Sequence, residues 1–414
     1  MAAGKLQAPP GTFDVLPEDG RKRRELYRRA GAVLTRAGYL PFDSPVTEDV
    51  EVFVRGVGAS TDIVRKEMFT FEDMGGRSLA LRPEGTAGVC RAYAQHGMHK
   101  LPQPVKVWYW GPFFRHERPQ AGRYRQFAQV GVEALGSDDP SLDAESVLLL
   151  AELLEAAGVR EWRLRLSSLG TAASRATYLD ELRGYLRRHE AQLSPDVLTR
   201  IEENPLRAFD ADHEGTRSVM EGAPRLLDRL PPEDSEHFAE VRALLDDAEV
   251  TYVVDPTLVR GLDYYTRTVF EFESDKLGAQ SGLGGGGRYD GLVEQLGGPA
   301  TSGVGWAAGI ERILLASESG FPPPPRPVFV ALDEGGTRRT AFKVVTALRE
   351  AGVRSEMEQS GRSIKGQMKQ ADRLNARAVA IVGEDMAWRD MDTGEQRRVS
   401  GAQEVVRIAV GFGT

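Results

Sequence analysis

The sequence contains a single cysteine, Cys90, among 414 residues, and this scarcity excludes several kinds of protein. One thiol cannot form an internal disulfide or a cysteine-rich metal cage, and it suits a reducing compartment, so we expect a cytoplasmic protein. The 6 histidines are scattered without metal-ligand spacing, which predicts that the protein itself holds no metal. Because no apolar run reaches about 18 residues, we also expect no membrane span.

The chain has no excess of positive charge, since 53 basic residues face 61 acidic ones for a formal net charge of -8. This balance argues against a protein that coats nucleic acid along its whole surface. It leaves an RNA partner open, because phosphate binding depends on local patches and not on net charge.

Length and changes of composition predict the domain organisation. A chain of 414 residues is too long for one ordinary domain. The prolines of 322–325 are typical of a semi-rigid linker, so we predict a first domain over 1–325 and a second over 326–414. Within the first, 171–248 is charged, helical in pattern and broken by prolines, as expected for an inserted helical domain. The second alternates strand-like and helix-like segments, which predicts a small α/β domain.

Hydrophobic spacing predicts some elements directly. Leu26, Ala30 and Leu34 recur at helical spacing and predict an amphipathic helix over 18–37. Residues 162–166 alternate apolar and polar side chains, which predicts a half-buried strand.

The most informative stretch of the chain is 258–265, which places Arg260 close to Tyr264 and Tyr265. A run of glycines, 284–287, follows about twenty residues later. Arginine stays charged near neutral pH and can bind a phosphate or a carboxylate, while tyrosine can hydrogen-bond a planar ligand and pack on its face. A surface turn followed by a strand would explain any one of these residues. Their combination favours a binding site.

Residues 110–127 are predicted to form an antiparallel hairpin with an arginine-rich loop. Four arginines crowd into 115–125, where they repel one another unless an anion joins them. A solvated loop also tolerates such a cluster. Phe127 lies beside them with an aromatic face available to a base, which favours a nucleotide site.

Two further segments present polar side chains where helices are expected to begin. Glu84 lies in a turn just before a predicted helix, where it either holds a ligand's ammonium group or caps the helix. In 303–312 a glycine-rich strand runs into a helix, and Arg312 falls in its first turns. Arg312 either binds an anion there or forms an ion pair at the surface.

Together these segments resemble the signature motifs of class II aminoacyl-tRNA synthetases, and of the histidyl-tRNA synthetase family in particular. Phe114–Glu117 and the arginine-rich loop are similar to motif 2, Gly309–Arg312 to motif 3, and the region around Pro45 to motif 1. The stretches 258–265 and 285–292 resemble two histidine-recognition peptides that are specific to this family.

The resemblance implies an α+β fold, with a class II catalytic core of mainly antiparallel sheet flanked by helices. It also implies a helical insertion and a C-terminal α/β domain that reads the anticodon. The implied enzyme is a histidine–tRNA ligase, which activates L-histidine with ATP and Mg²⁺ to histidyl-adenylate and pyrophosphate. It then transfers histidine to the 3′ end of tRNA-His, and motif 1 implies a homodimer.

The resemblance also implies roles for residues of a histidine site. Glu84, Thr86 and Gln129 would hold the α-ammonium group of the substrate. Glu133 and Tyr265 would hydrogen-bond the two imidazole nitrogens. The rest of the histidine pocket would consist of Arg115, Arg260, Tyr264 and Tyr289.

A second set of implied roles concerns ATP and tRNA. Arg115 and Arg260 would bind the α-phosphate, so these two arginines are the expected catalytic residues. Phe127 would stack on the adenine, and Glu117 would accept a hydrogen bond from its amino group. The outer phosphates would lie against Arg123 and Arg312. Gln120, in the motif 2 loop, would contact the extra 5′ guanosine of the tRNA.

An alternative from another functional class is the histidine-sensing regulatory subunit of ATP phosphoribosyltransferase. Such subunits resemble the synthetase core and do not charge tRNA, and they are expected to lose both the Arg260 peptide and the C-terminal module. The sequence keeps both, together with Arg115 and Arg312, and therefore favours the ligase.

Overall fold

The computed structural model describes residues 6–58, 61–278, 281–318 and 320–411. The chain divides into two compact units, Met1–Gly320 and Phe321–Thr414. The predicted insertion belongs to the first of them, and the predicted domain boundaries stay predictions. Among the described residues, no helix combines the length and the apolar character needed to cross a membrane.

The first unit is built on strands that form one large sheet and one small one. The strands are β1 (Leu40–Pro41), β2 (Thr47–Asp49), β3 (Phe69–Glu72), β4 (Ser78–Leu81), β5 (Val105–Phe114), β6 (Gln126–Leu135), β7 (Arg163–Ser168), β8 (Val253–Val254), β9 (Thr266–Glu273), β10 (Gly282–Arg288) and β11 (Gly303–Gly309). The large sheet has the order β1-β5-β6-β11-β10-β9-β7-β8, and the small one the order β2-β4-β3. Only the outermost pairs of the large sheet, β1–β5 and β7–β8, are parallel. The predicted α+β class with a mainly antiparallel sheet is therefore confirmed.

Helices cover this sheet and form the inserted segment. They are α1 (Pro17–Arg36), α2 (Val50–Val57), α3 (Thr86–Gln95), α4 (Pro140–Ala156), α5 (Ala172–Arg187), α6 (Pro195–Arg200), α7 (Glu214–Glu221), α8 (Pro232–Asp247), α9 (Leu292–Gln295) and α10 (Ile310–Ala316). Every element between residues 172 and 247 is helical. In α1, the residues predicted to face the core are buried, among them Leu26, Ala30 and Leu34.

The centre of the large sheet depends on glycine. A Cβ atom on Gly286 would collide with the carbonyl oxygen of Gly305, and a Cβ atom on Gly305 would collide with the carboxylate of Glu133. Glycine is normally a poor strand former, yet here a side chain would push the strands apart. The close approach of β6, β10 and β11 therefore requires these residues.

The second unit is a small α/β domain, as the sequence predicts. Its elements are β12 (Val328–Leu332), α11 (Arg338–Glu350), β13 (Ser355–Met357), α12 (Ile364–Arg373), β14 (Ala378–Val382), β15 (Met386–Asp390), β16 (Gln396–Val399) and α13 (Ala402–Gly411). The five strands have the order β13-β12-β14-β15-β16. Both faces of the sheet carry apolar clusters, one centred on Val330 and the other on Phe329.

A buried ion pair joins the helices of the first unit to its sheet. Arg288, at the end of β10, donates from Nε to Asp143 of α4 over 3.2 Å, and both side chains are fully buried. His237 of α8 lies 3.6 Å from the same carboxylate, and burial lowers the pKa of this histidine. The pair therefore fixes the position of β10 relative to α4 and α8.

We expect Asp143→Ala to destabilise the protein by about 3–5 kcal/mol, because it removes the buried partner of the Arg288 guanidinium and leaves, among the described residues, only Asp290, 28% exposed, at 3.3 Å. The matched control is Arg55→Ala, which removes an ion pair with Glu51 between side chains that are 61% and 59% exposed. That change should cost less than about 1 kcal/mol. Urea unfolding of both variants measures the difference, and equal losses would contradict the argument from burial.

Candidate active site

The large sheet carries a cavity of about 770 Å³ that gathers most of the predicted site residues. The predicted residues that line it are Glu84, Thr86, Arg115, Glu117, Arg123, Phe127, Gln129, Arg260, Tyr264, Tyr265 and Arg312. Glu133, Tyr289 and Gln120 do not line it. Segments separated by more than two hundred residues along the chain therefore meet at one site.

The start of α3 forms one wall of the cavity. Glu84 accepts hydrogen bonds from the backbone N–H groups of Thr86 and Ala87, over 2.8 and 2.9 Å. It is only 5% exposed, and burial raises its pKa. The carboxylate therefore caps α3, which was one of the two interpretations of the sequence. It also lines the cavity, so the other interpretation, binding of a ligand's ammonium group, stays a prediction.

Glu133 lies behind this wall as the acceptor of three hydroxyl groups. Thr86 donates to Oε1 over 2.7 Å, Tyr109 to Oε1 over 3.2 Å, and Tyr289 to Oε2 over 2.6 Å. The side chain is fully buried, and burial raises its pKa to about 8. Both carboxylate oxygens are therefore held in place from three sides.

Tyr109 is a cavity residue that the sequence analysis missed. Its ring fills the space above two glycines, since a Cβ atom on either Gly85 or Gly131 would meet it. Tyr109 pairs with Gly131 across β5 and β6. Its place beside Glu133 depends on the strand register, which pairs the neighbouring Val107 with Glu133 and could not be read from the sequence.

The Arg260 peptide (residues 258–265) forms another wall. Arg260 Nη1 lies 3.1 Å from Glu271 Oε2, and its guanidinium carbon lies 5.9 Å from the centre of the Tyr265 ring. A Cβ atom on Gly285 would stand 3.1 Å from the same nitrogen. The glycine run thus leaves room for the arginine, which explains why the two motifs occur together. Arg260 Nε is buried and has no hydrogen-bond partner among the described residues.

The predicted hairpin is confirmed as β5 and β6, and its loop places charged groups over the cavity. Arg115 donates from Nε to the carbonyl of Pro83 over 2.9 Å, and its guanidinium carbon lies 5.5 Å from the centre of the Phe127 ring. Arg123 pairs with Glu117 over 3.1 Å. Gln120 forms a short backbone bridge with Arg123 at the loop tip. One carboxylate thus offsets part of the repulsion between the arginines.

Arg312 completes the cationic side of the cavity from the first turn of α10. Its Nε donates to the carbonyl of Gly282, and burial, with Arg123 nearby, lowers its pKa to about 10. The neighbouring Glu311, which the sequence analysis did not single out, accepts from the backbone of Ala128 over 3.1 Å and from Arg23. Glu311 thereby joins α10 to β6 and α1.

Comparison with known proteins identifies the family. Residues 11–313 match the sequence model of histidyl-tRNA synthetase, and residues 328–408 match that of an anticodon binding domain. The chain belongs to the histidyl-tRNA synthetase family. Members of this family are aminoacyl-tRNA synthetases, so the chain is an enzyme of that kind.

Individual members of the histidyl-tRNA synthetase family match nearly the whole chain. The histidine–tRNA ligase of Rubrobacter xylanophilus is 48% identical over 97% of this chain and 98% of its own length. That of Streptomyces avermitilis is 46% identical over 97% of each. The structure of apo histidyl-tRNA synthetase from S. aureus superposes with a TM-score of 0.82 at 36% identity, covering 98% of this chain and 100% of that one.

A structure from Bacillus halodurans, described as an ATP phosphoribosyltransferase regulatory subunit/histidyl-tRNA synthetase, shares the fold with a TM-score of 0.67 at 22% identity. It covers 91% of this chain and 98% of its own. At that identity the likeness concerns the fold alone.

We expect the stability contributed by Glu133 to fall as the pH rises from about 5 to 8. Its pKa is near 8 in the folded protein and near 4.5 when unperturbed, so between these values unfolding releases a proton. The amide side chain of the Glu133→Gln variant does not titrate. The unfolding free energy of the variant minus that of the wild type should therefore increase as the pH rises over this interval. Urea unfolding of both proteins at pH 5, 6.5 and 8 tests this, and a constant difference would contradict it.

Proposed function

We propose that this chain is a histidine–tRNA ligase that activates L-histidine with ATP and then transfers the histidyl group to tRNA-His. The observation that supports this best is the shared cavity of Arg115 and Arg260, which reach it from the hairpin and from the Arg260 peptide. Two fixed cations at one cavity suit a reaction at a phosphate group, where the barrier is mainly one of charge and orientation.

In the proposed histidine site, the ligand's α-ammonium lies between Glu84, Thr86 and Gln129. Gln129 supports this placement because its side-chain oxygen is buried and has no hydrogen-bond partner among the described residues. Tyr265, which lines the cavity, and Glu133, which lies behind the α3 wall, would bond the imidazole nitrogens, and Glu133 would exchange one of its hydroxyl donors for the ligand. A pocket that pairs both nitrogens rejects amino acids lacking them by roughly 10⁴-fold, because its buried polar groups would stay unpaired.

In the proposed ATP site, the adenine stacks on Phe127 and bonds Glu117. Arg115 and Arg260 would neutralise the charge that develops on the α-phosphate as the histidine carboxylate attacks it and pyrophosphate leaves. The outer phosphates would lie against Arg123 and Arg312. Mg²⁺ would enter bound to the ATP phosphate oxygens, which are the hard ligands it prefers. No protein nucleophile is required.

For the second step we propose that the C-terminal unit binds the anticodon of tRNA-His. A groove of about 520 Å³ on this unit supports the assignment. Phe342, at 60% exposure, lies in it beside Arg338, Arg339 and Lys343, none of which forms an ion pair with a described residue. An exposed aromatic ring among free cations suits an unpaired nucleotide, which stacks through its base and pairs through its phosphate. Gln120 and the insertion would contact the acceptor end.

Two further parts of the proposal concern assembly and location. We propose a homodimer formed through the motif 1 region, supported by exposed apolar side chains that a second copy would cover. These include Leu40, at 65%, and Tyr27, at 45%. The predicted cytoplasmic location stays a prediction. The regulatory-subunit alternative is not favoured, since the curated relatives that match this chain nearly end to end are ligases.

The proposed function is tested by histidine-dependent exchange of pyrophosphate into ATP, with purified protein, Mg²⁺ and no tRNA. We expect exchange with histidine alone among the amino acids, and a loss of about 10²–10³-fold in Arg260→Ala, by analogy with other preorganised donors. The control is Arg77→Ala, which alters an arginine that is 75% exposed and paired with Asp73. Histidine binding without exchange in the wild type would favour the regulatory subunit.

We expect Phe342→Ala to lower kcat/KM for tRNA by roughly 5- to 150-fold, because stacking on a base contributes about 1–3 kcal/mol. Phe342→Trp should restore most of the loss, and pyrophosphate exchange should not change in either variant. Val410→Ala, at another exposed apolar position of this unit, is the control. Charging with full-length tRNA measures the effect. An acceptor-stem minihelix that loses equally would show that the groove does not bind the anticodon.

A further inference from the structure

The helical insertion reaches the active site through hydrogen bonds to the chain segment that carries Arg260. Arg175 of α5 donates from Nη1 to the backbone carbonyl of Tyr265 over 2.9 Å. Asn204, which follows α6, donates from Nδ2 to Asp263 Oδ1 over 2.8 Å. Both contacts cross from the insertion to the Arg260 peptide itself.

Further contacts hold Arg267, which lies two residues beyond the peptide at the start of β9. Arg267 has a φ of 42°, a left-handed conformation that a non-glycine residue adopts only when its surroundings impose it. Its Nε donates to Asp234 over 3.0 Å and its Nη2 to Glu233 over 2.8 Å, both in α8. Asp234 also accepts from the backbone N–H of Thr171 over 3.0 Å. The first residue of the insertion and the start of its last helix therefore meet beside Arg267.

Packing alone leaves the Arg260 peptide incompletely supported on this side. A crevice of about 200 Å³ separates it from the insertion, and both Arg175 and Asn204 line this crevice. Residues 258–265 contain no helix or strand that would fix the backbone. The peptide is also held by a backbone hydrogen bond from Asp263 N–H to the carbonyl of Val57 and by apolar packing of Leu258 and Tyr264. The hydrogen bonds across the crevice add direction to this support on the side of the insertion, and so help to set the guanidinium of Arg260.

We propose that Arg175, Asn204 and Asp234 are positioning residues for histidine activation, and that the insertion acts in this step even when no tRNA is present. They hold residues 263–267 and so orient Arg260 and Tyr265 towards the cavity. A displacement of about 1 Å at a reacting group can cost about 100-fold in rate. The proposal rests on the proposed function, because it concerns the rate of adenylate formation.

The test measures pyrophosphate exchange without tRNA for Arg175→Met, Arg175→Lys and Asn204→Ala. We expect kcat to fall at least tenfold in Arg175→Met and to recover largely in Arg175→Lys, which restores a donor to the Tyr265 carbonyl. KM for ATP should stay within twofold of the wild type, because the proposed adenine site lies on the hairpin. The control is Arg187→Met, which removes an exposed ion pair with Glu202 inside the insertion.

A purely structural role would lower the melting temperature and leave kcat per folded molecule unchanged. If Arg175→Met folds poorly, the kcat of Asn204→Ala tests the proposal instead. Because Asn204 and Asp263 share one hydrogen bond, the losses of kcat in Asn204→Ala and Asp263→Ala should not add in the double variant. A kcat within twofold of the wild type in the folded variants would overturn the proposal and leave the proposed function intact. A wild-type protein without exchange would instead overturn the proposed function.

Discussion

The active site depends on the close approach of three strands at the centre of the large sheet. Glycines on β10 and β11 let these backbones come together, and the space freed by Gly305 is filled by the Glu133 carboxylate. Gly285 leaves room for the guanidinium of Arg260. The centre of the large sheet therefore depends on positions without side chains, and the carboxylate of Glu133 and the guanidinium of Arg260 occupy the space beside them.

The charges around the cavity are arranged before any substrate arrives. Glu117 contacts Arg123, and Glu271 contacts Arg260, so two of the cations facing the cavity already have a partner that fixes their direction. Burial and the neighbouring Arg123 lower the pKa of Arg312 to about 10, so an added anion at the cavity would stabilise its charge. Such an arrangement favours an incoming phosphate and lessens the reorganisation needed when it binds.

Much of the fold could be predicted from sequence, because α1 shows helical spacing of residues that the core buries, and residues 162–166, most of which lie in β7, alternate apolar and polar side chains. The strand β10 could not be predicted from residue propensities, because glycine is a poor strand former. The glycines are needed there because the backbones of the neighbouring strands leave no room for side chains. The roles of site residues came from family resemblance. Tyr109 was missed because its partner depends on strand register, and Glu311 because its partners, Ala128 of β6 and Arg23 of α1, lie far away along the chain.

The strand order also sets a sequence of events during synthesis. On one side β6 pairs with β5, which directly precedes it, but its other neighbour is β11, which emerges from the ribosome more than 160 residues later. At roughly 5–20 residues per second, the free edge of β6 stays open for about ten seconds or more. An open apolar edge invites pairing with another chain. The nascent protein is therefore most exposed to aggregation, and most dependent on chaperones, while its insertion is being translated.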